Sequence, residues 1–218
     1  MSNENIVSKN LSRILKITNS YSARIIAVTK YYDESKIKEA YEAGLRDFGE
    51  SRALEAIEKI NKLEDKIRSN SIYHFIGHLQ TNKVKHVVSN FEYVHSVDSL
   101  KVAKEIDRCA KDKGIVQKVL IQVNNANEES KFGIVLSQLK DTIEEIQKLN
   151  SVKIEGLMNI APLLEDKGEL KKLFTQMKKL NDEYGFRELS MGMSNDYEIA
   201  LDCGATMIRL GRILFKNL

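Results

Sequence analysis

Residues 24–30 read RIIAVTK, and residues 206–211, near the end of the chain, read TMIRLG. Both are short β-branched runs that predict buried strands. A lysine at the end of such a strand is costly unless its amine has a function, because burial disfavours the charged form. If the two runs are the first and last strands of one closed barrel, they are neighbours. Lys30 then faces Arg209 and the turn at Gly211.

Between these two runs, β-branched stretches alternate with longer amphipathic segments. The stretches predict eight strands, at residues 24–29, 47–49, 72–76, 93–97, 118–123, 153–158, 188–191 and 206–210. The segments have helical spacing at residues 33–43, 51–63, 81–88, 99–111, 136–149, 167–183 and 195–203. Such alternation is typical of an α/β fold with a parallel sheet, either a (β/α)8 TIM barrel or an open doubly wound sheet, and eight strands favour the barrel. Residues 5–18 predict an extra N-terminal helix.

Composition narrows the class of protein. The 218 residues suffice for one large core and include no Pro/Gly/Ser-rich linker, so we expect a single domain over residues 1–218. A net charge of +3 and 7% aromatic residues argue against a nucleic-acid surface. The two cysteines lack the spacing of a metal site or a disulfide framework. The N-terminal segment does not have the pattern of a signal peptide, and no stretch reaches the roughly 20 apolar residues of a membrane span. We expect a cytoplasmic protein.

The predicted fold selects the candidate site residues, because functional groups in such barrels come from the carboxyl ends of the strands. Lys30 is the candidate nucleophilic amine, and an amine can form a Schiff base with an aldehyde. The loops after the last two strands, which often form a phosphate site, supply Ser194 and the Gly211-Arg212 amides beside Arg209. An aldehyde that carries a phosphate would satisfy both sites, and pyridoxal 5'-phosphate (PLP) is such a molecule.

Each residue also has an ordinary structural interpretation. A strand-ending lysine is more often a surface residue than a nucleophile. Arg209 could pair with a carboxylate inside the barrel. His74, near a strand end, is more often a hydrogen-bonded core residue than an acid or base. Only the combination of these residues favours a site.

Several motifs run along almost the whole chain. They are AVTK at 27–30, FGE at 48–50, HFIG at 74–77, HSVD at 95–98, SKFG at 130–133, LSMGMSND at 189–196 and MIRLG at 207–211. Together they resemble the pyridoxal phosphate homeostasis proteins, which are related to the barrel domain of alanine racemase. The resemblance implies a fold-type III barrel that binds PLP, with Lys30 as the Schiff-base lysine.

The resemblance also implies roles for the other site residues. Ser194 and the backbone of Gly211 and Arg212 would hold the phosphate. Arg209 would lie at the pyridine nitrogen and keep it unprotonated, which weakens the ring as an electron sink. His74, Asn159 and Met193 would line the ring or its phosphate.

Three residues depart from the family's pattern. Ser51 stands where the family usually has asparagine, so a hydrogen bond to the ring oxygen is lost or bridged by water. His78 stands where proline is common. Arg212 stands where threonine is common, and it either adds a charge at the phosphate or points outward.

The resemblance implies binding more than catalysis. Alanine racemase takes a catalytic tyrosine from a second domain, for which residues 212–218 are too few. We therefore expect a monomeric protein that carries or buffers PLP, with PLP-dependent apoenzymes as candidate recipients. A weak racemase that uses Tyr31, His74 or Lys83 as its second base is the main alternative. A cofactor-free Schiff-base aldolase and a non-catalytic interaction module are two others.

Overall fold

The structure is a computed structural model that describes residues 5–126, 128 and 131–216. Its strands are β1 (Arg24–Val28), β2 (Asp47–Glu50), β3 (Ile72–Phe75), β4 (Tyr93–Val97), β5 (Gln117–Asn124), β6 (Ile134–Val135), β7 (Val152–Met158), β8 (Glu188–Met193) and β9 (Met207–Leu210). Its helices are α1 (Ile6–Thr18), α2 (Glu34–Glu42), α3 (Ala53–Asn61), α4 (Asp65–Ser69), α5 (Val84–Val87), α6 (Leu100–Asp112), α7 (Leu136–Gln147), α8 (Lys167–Glu183), α9 (Tyr197–Asp202) and α10 (Arg212–Phe215), with a 3-10 turn at Thr81–Lys83.

Eight of the strands close into a parallel barrel. Their order is β4-β3-β2-β1-β9-β8-β7-β5, and a β4–β5 pairing completes the ring. The two-residue strand β6 extends the sheet beside β5. The first and last predicted strands are neighbours, since β1 pairs with β9 and places Ile26 opposite Arg209. The predicted (β/α)8 barrel is confirmed, and α1 is the predicted extra helix.

The strands are apolar because helices cover the outside of the ring and side chains fill its inside. All five residues of β4 are buried. Each long helix buries one face against the sheet, as α6 does with Val102, Ile106 and Cys109. No helix in the described part of the chain is both long enough and apolar enough to cross a membrane.

The extra helix α1 is fixed to the end of the barrel. The Asn10 side chain, which is buried, donates to the carbonyl of Leu214 at 3.1 Å and to that of Lys216 at 2.9 Å. These bonds hold α10 directly after the last strand. The turn at Gly211, between β9 and α10, is therefore supported from the N-terminal segment.

The structure differs from the predicted elements mainly where they are short. The helix predicted from residue 51 begins at Ala53, and Ser51 lies in the preceding turn against Gly77. A Cβ added at Gly77 would lie 2.4 Å from the Ser51 carbonyl oxygen, so this contact requires glycine. Three short elements, α4, β6 and α10, are absent from the prediction because so few residues carry no periodic signal.

Candidate cofactor-binding site

A cavity of about 400 Å³ opens at the carboxyl ends of β1, β8 and β9. This is within the usual size for a small-molecule site. Six of the nine predicted site residues line it: Lys30, Met193, Ser194, Arg209, Gly211 and Arg212. Ser51, His74 and Asn159 do not line it, and neither does His78, which bonds Asp98 and stacks on Phe132.

Lys30 is half-buried in the wall of this cavity. Its Nζ lies 5.1 Å from the centre of the Tyr31 ring. It makes no ion pair with a carboxylate in the described residues. The amine therefore faces the cavity without the partner that a structural lysine would have.

The turn that carries Lys30 is held by a buried ion pair. Lys59, on α3, pairs with Glu50 at the end of β2, and their side chains are 10% and 2% exposed. The same ammonium donates to the carbonyls of Thr29, at 2.8 Å, and Tyr32, at 3.0 Å. The Thr29 hydroxyl donates to Glu50 at 2.6 Å. Lys59 thus binds the backbone at Thr29, before Lys30, and at Tyr32, after Tyr31, and these bonds fix the turn.

Two loops meet in the cavity wall beside the Lys30 turn. The backbone amide of Ile213 donates to the Ser194 hydroxyl oxygen at 3.4 Å, which joins the loop after β8 to the turn after β9. Gly192 has φ +88°, and a Cβ there would lie 2.6 Å from the Ala200 side chain, so only glycine allows β8 to end this way. The predicted phosphate-holding residues are thus brought together.

Among the described residues that line the cavity, Asp196 is the one carboxylate. Burial raises its pKa, while a hydrogen bond from the Met193 amide and the charge of Arg209 act in the opposite direction. Four basic residues, Lys30, Lys131, Arg209 and Arg212, line the same cavity. The excess of positive charge favours an anionic ligand.

Arg209 is 5% exposed and is held by hydrogen bonds to neutral groups. It donates to the Ser190 carbonyl at 2.8 Å, to the Ser190 hydroxyl at 2.6 Å and to the Asn159 carbonyl at 2.7 Å. Burial lowers its pKa to about 10, with Asp196 opposing the shift, so the guanidinium stays charged at neutral pH. Of its five N–H groups, two remain without a bond to the described residues.

The other predicted residues have different places. His74 lies inside the barrel, where Asp47 and His95 occupy its two ring nitrogens at 2.8 and 3.0 Å. Asn159 is buried beside Arg209, and its side chain donates to Asn125 at 3.2 Å. Neither lines the cavity: Asn159 contacts Arg209 through its carbonyl, and His74 is linked to it only through His95 and Ser190.

The sequence analysis missed several residues that shape the site. These are Lys59, which holds the Lys30 turn together with Glu50, and Asp47, His95 and Ser190, which lie behind Arg209. The signal was a charged or polar residue within a strand or on the apolar face of a helix, where burial has to be compensated.

Of the three candidate second bases, the structure favours one by position. Tyr31 lines the cavity and is 76% exposed. Lys83 lies in the 3-10 turn after β3, outside the cavity lining. His74 has no free ring nitrogen.

Comparisons with known proteins agree with this geometry. Residues 3–217 match the family described as alanine racemase, N-terminal domain. The pyridoxal phosphate homeostasis protein of Synechocystis is 43% identical over 202 residues, which are 90% of this chain and 92% of that protein. Its counterpart in Aquifex aeolicus is 39% identical over 199 residues, covering 88% and 86% of the two chains.

Solved structures extend the comparison. PipY of Synechococcus elongatus, solved with PLP bound, is 35% identical, with a TM-score of 0.88 over 96% of this chain and 100% of that one. An alanine racemase of Clostridium difficile is 20% identical with a TM-score of 0.74, covering 97% of this chain and 56% of that one, and shares the fold. The chain therefore belongs to the alanine racemase N-terminal domain family, within its branch of pyridoxal phosphate homeostasis proteins.

Proposed function

We propose that this protein binds PLP in the cavity through a Schiff base with Lys30 and contributes to cofactor homeostasis as a carrier or buffer. The observation that carries the proposal is that Lys30, whose amine pairs with no carboxylate of residues 5–126, 128 and 131–216, lies in a cavity whose described lining has an excess of positive charge. PLP, when bound, supplies an electrophilic aldehyde and an aromatic ring that can accept electrons.

The residues present fit such a ligand. The Lys30 amine suits the aldehyde, and the joined loops of Ser194 and Gly211 suit the phosphate, with Arg212 beside them. The two unbonded N–H groups of Arg209 suit an acceptor on the ring. No carboxylate is among the residues assigned to these contacts, and Asp196, which also lines the cavity, accepts a hydrogen bond from the Met193 amide.

Arg209 supports storage over catalysis. Arginine donates hydrogen bonds and cannot accept them, so a ring nitrogen that meets it has to be the acceptor and stays unprotonated. An unprotonated ring withdraws electrons poorly. The buried carbonyls and hydroxyl around Arg209 keep it in this donor role.

A second base is also poorly provided. Racemisation by two bases needs one on each face of the substrate carbon. Tyr31 is the remaining candidate, and it is mostly exposed to solvent. Leu163, another cavity residue, is 88% exposed, so the mouth is open for exchange. Transfer to PLP-dependent apoenzymes and a monomeric state stay predictions.

The test is a PLP titration of the purified protein, followed by borohydride reduction and mass spectrometry of the digest. We expect a visible absorption band and one modified lysine, Lys30, and loss of both in Lys30→Ala. The matched control is Lys36→Ala, since Lys36 lies on α2 and pairs with Glu39. Modification at a different lysine, or a colourless protein as expected of an aldolase, would contradict the proposal.

The non-catalytic part has its own measurement. The loaded protein is incubated with alanine in deuterium oxide, and exchange at the α-carbon is followed by NMR. We expect exchange far below the usual 1–10³ turnovers per second of enzymes. Exchange in that range, abolished by Tyr31→Phe, would establish the racemase alternative.

A further inference from the structure

A chain of side-chain hydrogen bonds crosses the barrel interior behind the cavity. It starts at Arg209 on β9, which donates to the Ser190 hydroxyl on β8 at 2.6 Å. Ser190 lies 3.0 Å from Nδ1 of His95 on β4. His95 Nε2 lies 3.0 Å from Nδ1 of His74 on β3, whose Nε2 lies 2.8 Å from Asp47 at the start of β2.

All the inner members of this chain are sealed from solvent. Ser190, His74 and His95 are 0% exposed. The His74 ring stacks on Tyr93 at 5.1 Å and meets the His95 ring edge-on at the same distance. A buried polar group is stable only when its hydrogen bonds are satisfied, so the direction of every bond can be worked out.

The two ends fix that direction. Arg209 can only donate and an ionised Asp47 can only accept. Four bonds join them, and four hydrogens are available: one each from Arg209, Ser190 and the two imidazoles in neutral form. Each of the four hydrogen bonds therefore has one hydrogen, and no hydrogen is left over. Both histidines carry their proton on Nε2.

The histidine environment agrees with neutral rings. Burial lowers the pKa of His74, with Asp47 opposing the shift. Burial also lowers the pKa of His95 well below its ordinary value, and the neighbouring His74 and Arg209 act in the same direction. A second proton on either ring would place two donors against each other.

The acceptor end is anchored at the amino end of the barrel. Arg24 lies 3.6 Å from Asp47 and 2.7 Å from Glu188. Glu188 in turn accepts from the Thr206 hydroxyl at 2.8 Å. The carboxylate of Asp47 therefore has a cation beside it, and this contact fixes the acceptor end of the chain of hydrogen bonds.

We propose that His74 and His95 are positioning residues that act through Ser190 to hold the Arg209 guanidinium in one orientation in the cavity wall. With the chain intact, the Ser190 hydroxyl has its proton committed to His95 and can only accept from Arg209. Without His95 that hydroxyl rotates freely and no longer presents a fixed acceptor to Arg209. Without the hydroxyl itself, Arg209 keeps only its two backbone carbonyls. The consequence for a bound ring rests on the proposed function, whereas the orientation of Arg209 is a property of the ligand-free protein.

The first experiment uses ligand-free protein and nitrogen-15 NMR. The protein has four histidines in total, so the imidazole signals can be assigned by substitution. We expect His74 and His95 to be neutral Nε2–H tautomers at pH 7. We also expect slow rotation of the Arg209 guanidinium, with separate signals for its terminal nitrogens. A protonated ring or an Nδ1–H tautomer at either histidine would overturn the proposal.

Two substitutions break the chain at different points. We expect Ser190→Ala to speed the Arg209 rotation at least about tenfold, since a charged hydrogen bond is lost. We expect His95→Phe to speed it as well, since the Ser190 hydroxyl is no longer fixed as an acceptor. The matched control is Tyr93→Phe, which keeps the ring that stacks on His74 and removes only a hydroxyl that takes no part in these hydrogen bonds. It should leave the rotation unchanged. Ser190→Ala is the smaller change and keeps the test valid if His95→Phe does not fold. Unchanged rotation in a folded Ser190→Ala protein would overturn the proposal.

The second experiment measures the dissociation constant for PLP in the same proteins. We expect about a tenfold increase for each single variant and a similar increase for the double variant, because residues acting along one path are not additive. Tyr93→Phe should stay within about twofold of the unmodified protein. Singles that multiply in the double variant would contradict a shared path through Arg209. If the unmodified protein does not bind PLP, the proposed function fails, and the NMR result still decides whether the histidines orient Arg209.

Discussion

The Lys59–Glu50 ion pair behind the Lys30 turn, called the clamp below, differs from the cavity in front of the turn in how its charges are balanced. In the clamp, one ammonium, Lys59, meets one carboxylate, Glu50, and also satisfies two carbonyls. In the cavity, as far as the structure describes its lining, four basic residues, Lys30 and Arg212 among them, have one acidic residue, Asp196, between them. The two regions contact the same turn. The charges of the clamp are fully paired, whereas the cavity has more basic than acidic side chains in its described lining.

This difference separates two uses of a cation. A buried cation with all its partners contributes to the fold, and its removal exposes the partner to an uncompensated desolvation cost. A cation without partners contributes little to the fold and is available to a ligand. The comparison therefore predicts which substitutions affect stability and which affect binding.

The largest effect is expected at the clamp. Lys59→Met leaves Glu50 buried without its cation, which should lower the free energy of unfolding by about 3–5 kcal/mol. Urea unfolding measures this. Lys62→Met, at the exposed end of the same helix, is the control and should change it by less than about 0.5 kcal/mol.

Lys30→Met sharpens the same contrast. It should also leave the free energy of unfolding within about 0.5 kcal/mol while abolishing attachment of PLP. The double variant Lys59→Met/Glu50→Gln should recover part of the lost stability, because no lone charge remains. A cost below about 1 kcal/mol for Lys59→Met alone would break the comparison.

A smaller effect comes from the buried histidines behind Arg209. The folded protein holds both with a lowered pKa because of burial, whereas unfolded histidine titrates near 6.5. Below about pH 6.5 the unfolded chain therefore binds more protons than the folded protein. The contribution of the two rings to the free energy of unfolding is fully present above about pH 6.5 and decreases as the pH falls. The charged or titratable groups around His74 and His95 are Asp47, Arg24, Tyr93, Glu188 and Arg209.

From pH 7 to about 5.5 we expect a loss of about 2 kcal/mol from the two rings together. Unfolding curves at both values measure it. His95→Phe should remove about half of the pH dependence, and Tyr93→Phe should retain all of it. Stability that rises on acidification over this range would show that one ring gains a proton in the folded state.

The smallest effect concerns the exposed edge of the cavity. Arg212→Gln should weaken PLP binding about threefold and reduce its dependence on salt, since exposed charges act weakly and are screened. Arg52 is the matched control, because it is exposed and already paired with Glu55 at 3.1 Å. Arg52→Gln should leave the dissociation constant unchanged at low and at physiological ionic strength.

The barrel was predictable from the sequence because its signal repeats over the whole chain. The eight predicted strands correspond to barrel strands with ends shifted by no more than two residues, as in β8, which runs on to Met193. The helix predicted at residues 81–88 divides into the 3-10 turn and α5. Such a change of helix type depends on local packing and leaves no mark on apolar spacing.

The site was predictable only where the fold alone places a residue. Lys30 lies just after β1 and Arg209 near the end of β9, and both line the cavity because the carboxyl ends of the strands meet at one edge of the barrel. His74 was predicted at the ligand because the sequence does not show which layer of the interior a strand residue occupies. That depends on the register, which places His74 beside Gly49 and Tyr93. Lys59 was missed because its partner lies in a different element.

The hydrogen count behind the cavity limits how this site could be redesigned. Replacing Arg209 by glutamate, a group that accepts instead of donating, would leave three hydrogens for four bonds. The interior would then have to take up one proton from solvent, on the new carboxyl group or on one of the two imidazoles. A graft of this pocket onto another scaffold therefore has to carry Ser190, His95, His74 and Asp47 along with the arginine that meets the ligand.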